Sequence, residues 1–301
     1  MRRPWWVKLL VVVVLAAGLR FATTFPWLDT WTTLEAADWG MLAVAGGWNL
    51  LSLALKAWAW QLLLRAVAPV GFRTTQEATF VGAAVNSVGI AMSGEAARVH
   101  VLGKRDGIAP GAAVRSIVAS RLVEAIALGV FLLGVVALTT TEHTLKLLGG
   151  GVLLLGGALA LLRWLPWLRP GGGGAAALEG WSVARLAPAV GIDIASWGLQ
   201  WASYHWSIAA AHTAVTPSLS CLALVLANVG GIFRLTPANI GVVQGAVVLA
   251  LRPAGVAAPE ALAAGVALQA VQVLPVLAIG LCLLGRSGFV ALFRRRAPEP
   301  A

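Results

Sequence analysis

The sequence predicts an all-α polytopic membrane protein: about six full transmembrane helices plus two re-entrant broken-helix hairpins, arranged as an inverted repeat. Three observations lead there. Of 301 residues, 59% are hydrophobic and only 11% charged, with a mean hydropathy of +0.85, whereas a soluble domain carries about 25% charged residues. Apolar runs follow one another along the chain, bounded by charge or by Pro/Gly clusters. The Lys and Arg residues gather in alternate loops. Water-soluble enzymes, DNA-binding domains and disordered tails are thereby excluded. The excess of 22 Lys+Arg over 12 Asp+Glu follows from positive-inside topology, so no nucleic acid partner is expected. Cys221 and Cys282 lie in apolar runs, with neither disulfide nor metal-ligand spacing.

Taken in order, the run at 5–25 follows Arg2, Arg3 and Lys8. It reads as a retained first span rather than a signal peptide, because no convincing cleavage site follows it. The stretch 26–38 has no Lys or Arg and carries Asp29, Glu35 and Asp38, so it is external. The run at 39–64 returns to Arg65 and Arg73. The run at 75–92 is short and interrupted, and Lys104, Arg105 and Arg115 follow it, so the first hairpin enters and leaves on the cytoplasmic side. The run at 114–138 leads to 139–144, again without Lys or Arg. The span at 145–165 brings the chain to Arg163, Arg169 and Arg185, which flank the Pro170–Gly174 stretch of a cytoplasmic linker over 166–185. The span at 186–211 ends in 211–217, another stretch without Lys or Arg. Short runs at 218–235 and 238–251 form an external hairpin, and 261–285 returns to Arg286, Arg294, Arg295 and Arg296. Both termini are cytoplasmic on this topology. Residues 39–139 and 186–285 then share a plan of span, hairpin, span in opposite directions within a single membrane domain (1–301), the inverted-repeat layout of many transporters.

The chemistry lies in residues that do not belong in hydrocarbon. The first hairpin carries Asn86, Ser93, Gly94, Glu95 and Arg98; the second carries Asn228, Arg234, Thr236, Pro237, Asn239 and Gln244. Gly94 and Pro237 are expected to turn the chain. Each resumed helix then points a positive, anion-favouring N-terminus inward. Arg121 and Glu124 are three apart on one helix face and can pair. Charges deep in a bilayer cost about 2.5–3.5 kcal/mol each on insertion scales, so five of them require mutual pairing or a wet cavity. Asp193, Trp197, Gln200 and Tyr204 form one stripe of a helix, and a polar stripe should face that cavity. Trp201 and His205 flank the stripe. The 14 Trp residues suit an interfacial aromatic belt. Lys56 reads as a snorkelling lysine rather than a ligand. Ala91-Met92-Ser93-Gly94, with His205 as base, lacks the first glycine of an intramembrane serine protease loop. No motif calls for a cofactor or metal, and the chain is not expected to be an enzyme.

Three stretches carry a family resemblance: Asn86 through Ser93-Gly94-Glu95-Ala96-Ala97-Arg98, Ser120-Arg121-x-x-Glu124, and Thr236 through Gln244. Together they resemble the membrane region of lysylphosphatidylglycerol synthases, a flippase-like family, over nearly the whole chain. The family's usual Pro near Met92, Gly at Asn239, acidic residue at Ser120 and Glu at Gln244 are absent. The last two absences remove carboxylates that a proton-coupled role would use there. The resemblance is to stand-alone members, so no synthase domain like that of the bifunctional ones is expected. The resemblance implies a bacterial inner-membrane protein that translocates lipid without synthesising it. The site residues expected to take the head group of a membrane phospholipid or polyprenyl-phosphate lipid are Arg98, Arg121 and Arg234, with Glu95, Glu124, Asn86, Asn228, Ser93, Gln244, Asp193, Gln200 and Tyr204. A non-transporting scaffold that presents lipid to a partner enzyme is the alternative. A homo-oligomer is compatible with either.

Overall fold

The computed structural model describes residues 26–66, 68–89, 92–138, 183–211, 215–231 and 236–294, with Thr23, Gly149 and Thr213 besides. Among them are nine α-helices and no strand: α1 Trp27–Glu35, α2 Trp39–Leu64, α3 Phe72–Val88, α4 Ser93–Asp106, α5 Pro110–Leu138, α6 Val183–Ala209, α7 Pro217–Gly230, α8 Val242–Leu251 and α9 Ala258–Arg294. Two short 3₁₀ turns, Pro237–Asn239 and Arg252–Ala254, flank α8. The predicted spans at 5–25 and 145–165 and the linker 166–185 lie almost wholly outside the described residues, as does Arg234.

Helix lengths divide the elements into two kinds. At 1.5 Å per residue, α2, α5 and α6 run about 39, 44 and 40 Å, while α3, α4, α7 and α8 run about 26, 21, 21 and 15 Å. By length alone, the first group could cross a hydrocarbon core of roughly 30 Å and the second could not. Residues 39–64, 110–137 and 258–285 are long and apolar enough to cross a membrane, and the chain is a membrane protein. Local signals set the boundaries. Asp38 caps α2 by accepting from the Met41 amide at 3.0 Å, and Thr216 precedes Pro217 at the start of α7, a favoured pairing of cap and first-turn residue. Gly107, at φ 67°, ends α4 in the left-handed conformation that glycine adopts without strain.

The region expected as one interrupted run at 75–92 is instead two helices. α3 stops at Gly89, where the backbone becomes extended, and α4 resumes at Ser93 and packs antiparallel along α3. Asp106 accepts from the Gly71 amide and the Thr74 hydroxyl, each at 3.0 Å, and Arg105 pairs with Glu77 at 2.7 Å; these contacts close the hairpin's far end. Gly94 does not turn the chain. It lies inside α4, and a Cβ there would come within 2.2 Å of the Gly82 carbonyl oxygen, so glycine is needed for close approach of the two helices. In the second hairpin the turn is made by Ala238 and Asn239, both at positive φ (52° and 55°). Asn is among the few non-glycine residues that tolerate this region. α1, in the stretch read as an external loop, exposes Trp27, Leu28 and Trp31 and suits an interfacial position.

α2 and α6 pack most closely and run antiparallel. The Asp38 amide donates to the Ala210 carbonyl at 2.8 Å at one end, Ala59 and Leu63 cluster with Ala189 at the other, and the buried Ser52 and Ser196 hydroxyls meet at 3.0 Å between them. The Ser52–Ser196 and Lys56–Gln200 contacts both join positions 144 apart, and the same offset carries Trp39, which begins α2, onto Val183, which begins α6. An offset of 148 carries Pro110, which begins α5, onto Ala258, which begins α9, and Arg121 and Glu124 onto Gln269 and Gln272. One apolar core lies within the first half around Trp60, Leu64 and Leu102, and a larger one joins Leu132 of α5 to Ile208, Leu224, Leu251 and Leu268 of the second half.

Candidate functional site at the helix breaks

Glu124 and Gln272 fall at the middle of the 28-residue apolar stretches 110–137 and 258–285. Ser52 lies at the middle of α2. The polar residues of the site therefore share one level, halfway along the spanning helices.

In the first half, close contact of Gly82 with Gly94 brings the start of α4 against α5. The Asn86 carboxamide oxygen accepts from the Gly94 amide at 2.8 Å, which supplies a partner for one free N–H of the new helix. Glu95 stands in the first turn of α4, so the positive helix end already faces a carboxylate of its own chain. Glu95 also bridges to α5, where its Oε1 accepts from Nη2 of Arg121. Its other oxygen lies 3.4 Å from Nη1 of Arg98. Arg121 extends to Glu124 at 2.8 Å, and the Ser120 hydroxyl donates to Glu124 at 3.1 Å. Arg98, 7% exposed, lies with its guanidinium 5.3 Å from the centre of the Trp60 ring. Arg98 thus lies inside the protein instead of reaching the membrane surface. Two guanidiniums meet two carboxylates, so this cluster of described residues is charge-balanced.

Lys56 departs from its expected place at the interface. Its ammonium donates to Gln200 Oε1 at 2.7 Å and sits 3.8 Å above the Trp197 ring, a cation–π contact. Trp197 Nε1 in turn donates to the Glu124 carbonyl at 3.0 Å. Asp193 is buried, and its Oδ1 has no hydrogen-bond partner among the described residues. The Tyr204 hydroxyl bonds the Gln272 side chain. Asp193, Trp197 and Tyr204 of the stripe are buried in the protein, and of the four residues expected to face a cavity Gln200 alone is among the described lining of the two clefts at this level. Trp201 and His205 turn the other way, toward Ser220, at 3.0 and 3.1 Å; His205 has a structural partner there.

The second half meets at the same level with neutral groups. Gln269 Nε2 donates to the Ala238 carbonyl at 2.8 Å, and Asn49 reaches the Gln272 carbonyl at 3.3 Å. A polar cleft of about 160 Å³ opens where the two helix breaks face each other, lined by Asn86, Ser87, Thr236, Asn239, Gln269 and Gln272. A second cleft, of about 150 Å³, shares Ser87 and Gln272 with the first and reaches Ser52, Lys56 and Gln200. Of the other predicted site residues, Asn228 bonds the Leu224 carbonyl of its own helix at 2.8 Å. Gln244 accepts from the Gly241 amide at 2.7 Å and caps α8. Ser93 packs against Gly89 at the break. Gln269 and Gln272 escaped the sequence reading, which placed Lys56 at the interface. The signal for the two glutamines was there, since they stand where Arg121 and Glu124 stand in the other half.

Residues 5–280, nearly the whole chain, match the family model described as lysylphosphatidylglycerol synthase TM region. The comparison with curated proteins finds no match.

Proposed function

Because the chain belongs to the lysylphosphatidylglycerol synthase TM-region family, we propose that it is a lipid translocase. It moves a lipid with a phosphate-containing head group between the leaflets of the bacterial plasma membrane, by alternating access and without cofactor or covalent chemistry. On this proposal α3–α4 and α7–α8 are re-entrant hairpins that enter from opposite faces, 39–139 and 186–285 are inverted repeats, and both termini are cytoplasmic. The antiparallel pairing of α2 with α6, the similar offsets of 144 and 148 between halves and the mid-helix level of the polar residues support that arrangement, in which a site lies between paired broken helices near the midplane.

The observation that carries the proposal is the Glu95–Arg121 bridge, which ties the start of a broken helix to a spanning helix beside a polar cleft. In the empty site the carboxylates hold Arg98 and Arg121 in place and neutralise them, which lowers the cost of burying either charge. A head-group phosphate takes Glu95's place on Arg121, whose side chain is 39% exposed and so open to exchange. Guanidinium–phosphate pairs are strong and directional. Loss of the Glu95 bridge frees α4 from α5, and the repeats rock against each other about the central Ser52–Ser196 contact. Glu95 then reclaims Arg121 and releases the phosphate, while the acyl chains stay in lipid throughout.

Proteoliposomes containing acyl-labelled phospholipid test this. Wild-type protein should expose inner-leaflet label to an added quencher, and Arg98→Ala and Arg121→Ala should each slow that by about tenfold or more, equivalent to about 1.4 kcal/mol of lost transition-state binding. Variants that fold and still move lipid at the wild-type rate would remove the site, and a wild-type protein that moves none would favour the scaffold.

A further inference from the structure

We infer that Asp193 is a proton-binding site, and that a proton taken up there gives the buried charge cluster the one positive charge that a head-group phosphate then balances. The inference rests on the translocase proposal for its setting but concerns what travels with the lipid. Among the described residues, one electrostatically connected set holds the cations Lys56, Arg98 and Arg121 and the carboxylates of Glu95, Glu124 and Asp193. Fully ionised, this set is neutral and exerts no net attraction on an anion.

Asp193 is held differently from the other two carboxylates. Glu95 and Glu124 both accept from arginine, and Glu124 also accepts from Ser120. Asp193 is only 1% exposed, and its Oδ1 has no hydrogen-bond partner among the described residues. No described Lys or Arg lies within ion-pair distance of it. The charged groups that face it are Lys56 of α2 and Glu124 and Arg121 of α5. From α7 and α9, the other helices packed on α6, no charged side chain reaches it. Lys56 divides its attraction between Glu124 and Asp193, while its ammonium donates to Gln200 and covers the Trp197 ring. A buried carboxylate that lacks a close partner is costly, and protonation removes that cost.

With Asp193 protonated, three cations face two carboxylates. The excess positive charge falls to Lys56 and Arg121, the two cations that face Asp193. Lys56 lines the second cleft, and the Arg121 side chain is 39% exposed, so a phosphate has access to both. One negative charge on the phosphate restores the balance. Proton and phosphate therefore each favour binding of the other, and by the same factor. Asp193 takes its proton from the water on the side where lipid enters. When the phosphate leaves, the proton returns to water on the opposite side, and the set is neutral again.

The test uses the full-length purified protein, with phosphatidylglycerol as the probe because its phosphodiester charge is constant over the pH range scanned. In weakly buffered detergent with an indicator dye, binding should draw up to about one proton per lipid from solution. Affinity, read by thermal stabilisation, should fall by up to about tenfold per pH unit on the alkaline side, the limit for one linked proton. Asp193→Asn keeps the neutral shape permanently. It should take up no proton, bind with an affinity independent of pH, and lack a carboxylic C=O infrared band that the wild type shows when loaded. Asp193→Glu should restore the pH dependence, and His205→Gln should keep the wild-type profile. Absence of proton uptake by the wild type overturns the inference without needing any variant to fold. Equal uptake by wild type and Asp193→Asn, or infrared spectra of the two that match at every pH, also overturns it. Transport is followed separately, by quencher access to labelled phosphatidylglycerol in phosphatidylcholine vesicles. Proton uptake on binding with no lipid movement keeps the proton site and removes the translocase. Lipid movement at one rate across the whole pH range does the reverse.

Discussion

The two halves of the molecule build the same element at the same level from opposite chemistry. In the first, α5 presents Arg121 and Glu124 to Glu95 and Arg98 at the start of α4. In the second, α9 presents Gln269 and Gln272, at the equivalent positions, to the turn at Ala238 and Asn239. The difference teaches how a broken helix can be held inside a bilayer. Ion pairs hold tightly but only as a complete set, since removing one partner leaves a bare buried charge. Amides hold less tightly and can lose one member at the cost of a single unpaired group. On the proposed function, the charged half is the one that switches between a closed state and one opened by a competing anion, and the neutral half is the one suited to steady recognition.

That contrast is broken most forcefully at Glu95. Glu95→Gln removes the carboxylate that bridges Arg98 and Arg121, and loss of one partner from a buried ion network costs about 3–5 kcal/mol. The expected readout is a large drop in the unfolding temperature of the purified protein. The matching change in the second half, Gln269→Leu, removes one hydrogen bond and should cost about 1–3 kcal/mol. Equal losses in the two variants would show that the halves do not differ in the way proposed. Converting the first half to the second, with Arg121→Gln and Glu124→Gln together, should cost less than the two single changes added, with a coupling of about 0.5–3 kcal/mol.

Which of this could be read from the amino acids follows from the same physics. The long helices α2, α5, α6 and α9 were legible because apolar runs end at charges, caps and prolines, and their observed limits differ from the predicted ones mainly at the ends. Arg121–Glu124 was legible as a pair three residues apart on a helix, and Glu95–Arg98 has the same spacing. The bridge between Glu95 and Arg121, 26 residues apart, depends on how α4 packs on α5, which no local spacing encodes. Lys56 was misplaced because a lone lysine in an apolar run looks the same whether it turns outward to the interface or inward to Gln200. Gln269 and Gln272 were missed because a neutral amide in an apolar helix carries no large insertion cost to draw attention. α1 was missed because its polar residues outweigh its exposed tryptophans.

A narrower comparison concerns glycine at the two breaks. A Cβ on Gly94 would lie 2.2 Å from the Gly82 carbonyl oxygen, a backbone atom that cannot step aside without moving a helix. A Cβ on Gly230 would lie 2.7 Å from Cγ1 of Val242, the tip of a side chain. Gly94→Ala should therefore destabilise by about 1–3 kcal/mol, the usual range for overpacking, and should push α4 away from α3 and slow transport as the Glu95 bridge lengthens. Gly230→Ala should cost less and leave transport near wild type. Thermal unfolding and the vesicle assay on both variants decide it. A transport loss in Gly230→Ala as large as that in Gly94→Ala would mean that the first break has no special role.

The smallest expected effect separates capping from substrate contact at Gln244. In the structure its oxygen accepts from the Gly241 amide, one of the N–H groups that a helix start leaves without an internal partner. The bond is exposed, so water can replace much of it. Gln244→Ala should cost about 0.5–1 kcal/mol in thermal unfolding, near the low end for a lost N-terminal cap, with transport unchanged. Asn86→Ala removes the equivalent bond at the start of α4, which is partly buried and beside the ionic cluster, so it should cost more and also slow transport. If Gln244→Ala instead halts transport while stability is kept, the second hairpin touches the lipid directly at this residue. The division into a switching half and a recognising half would then have to include the start of α8.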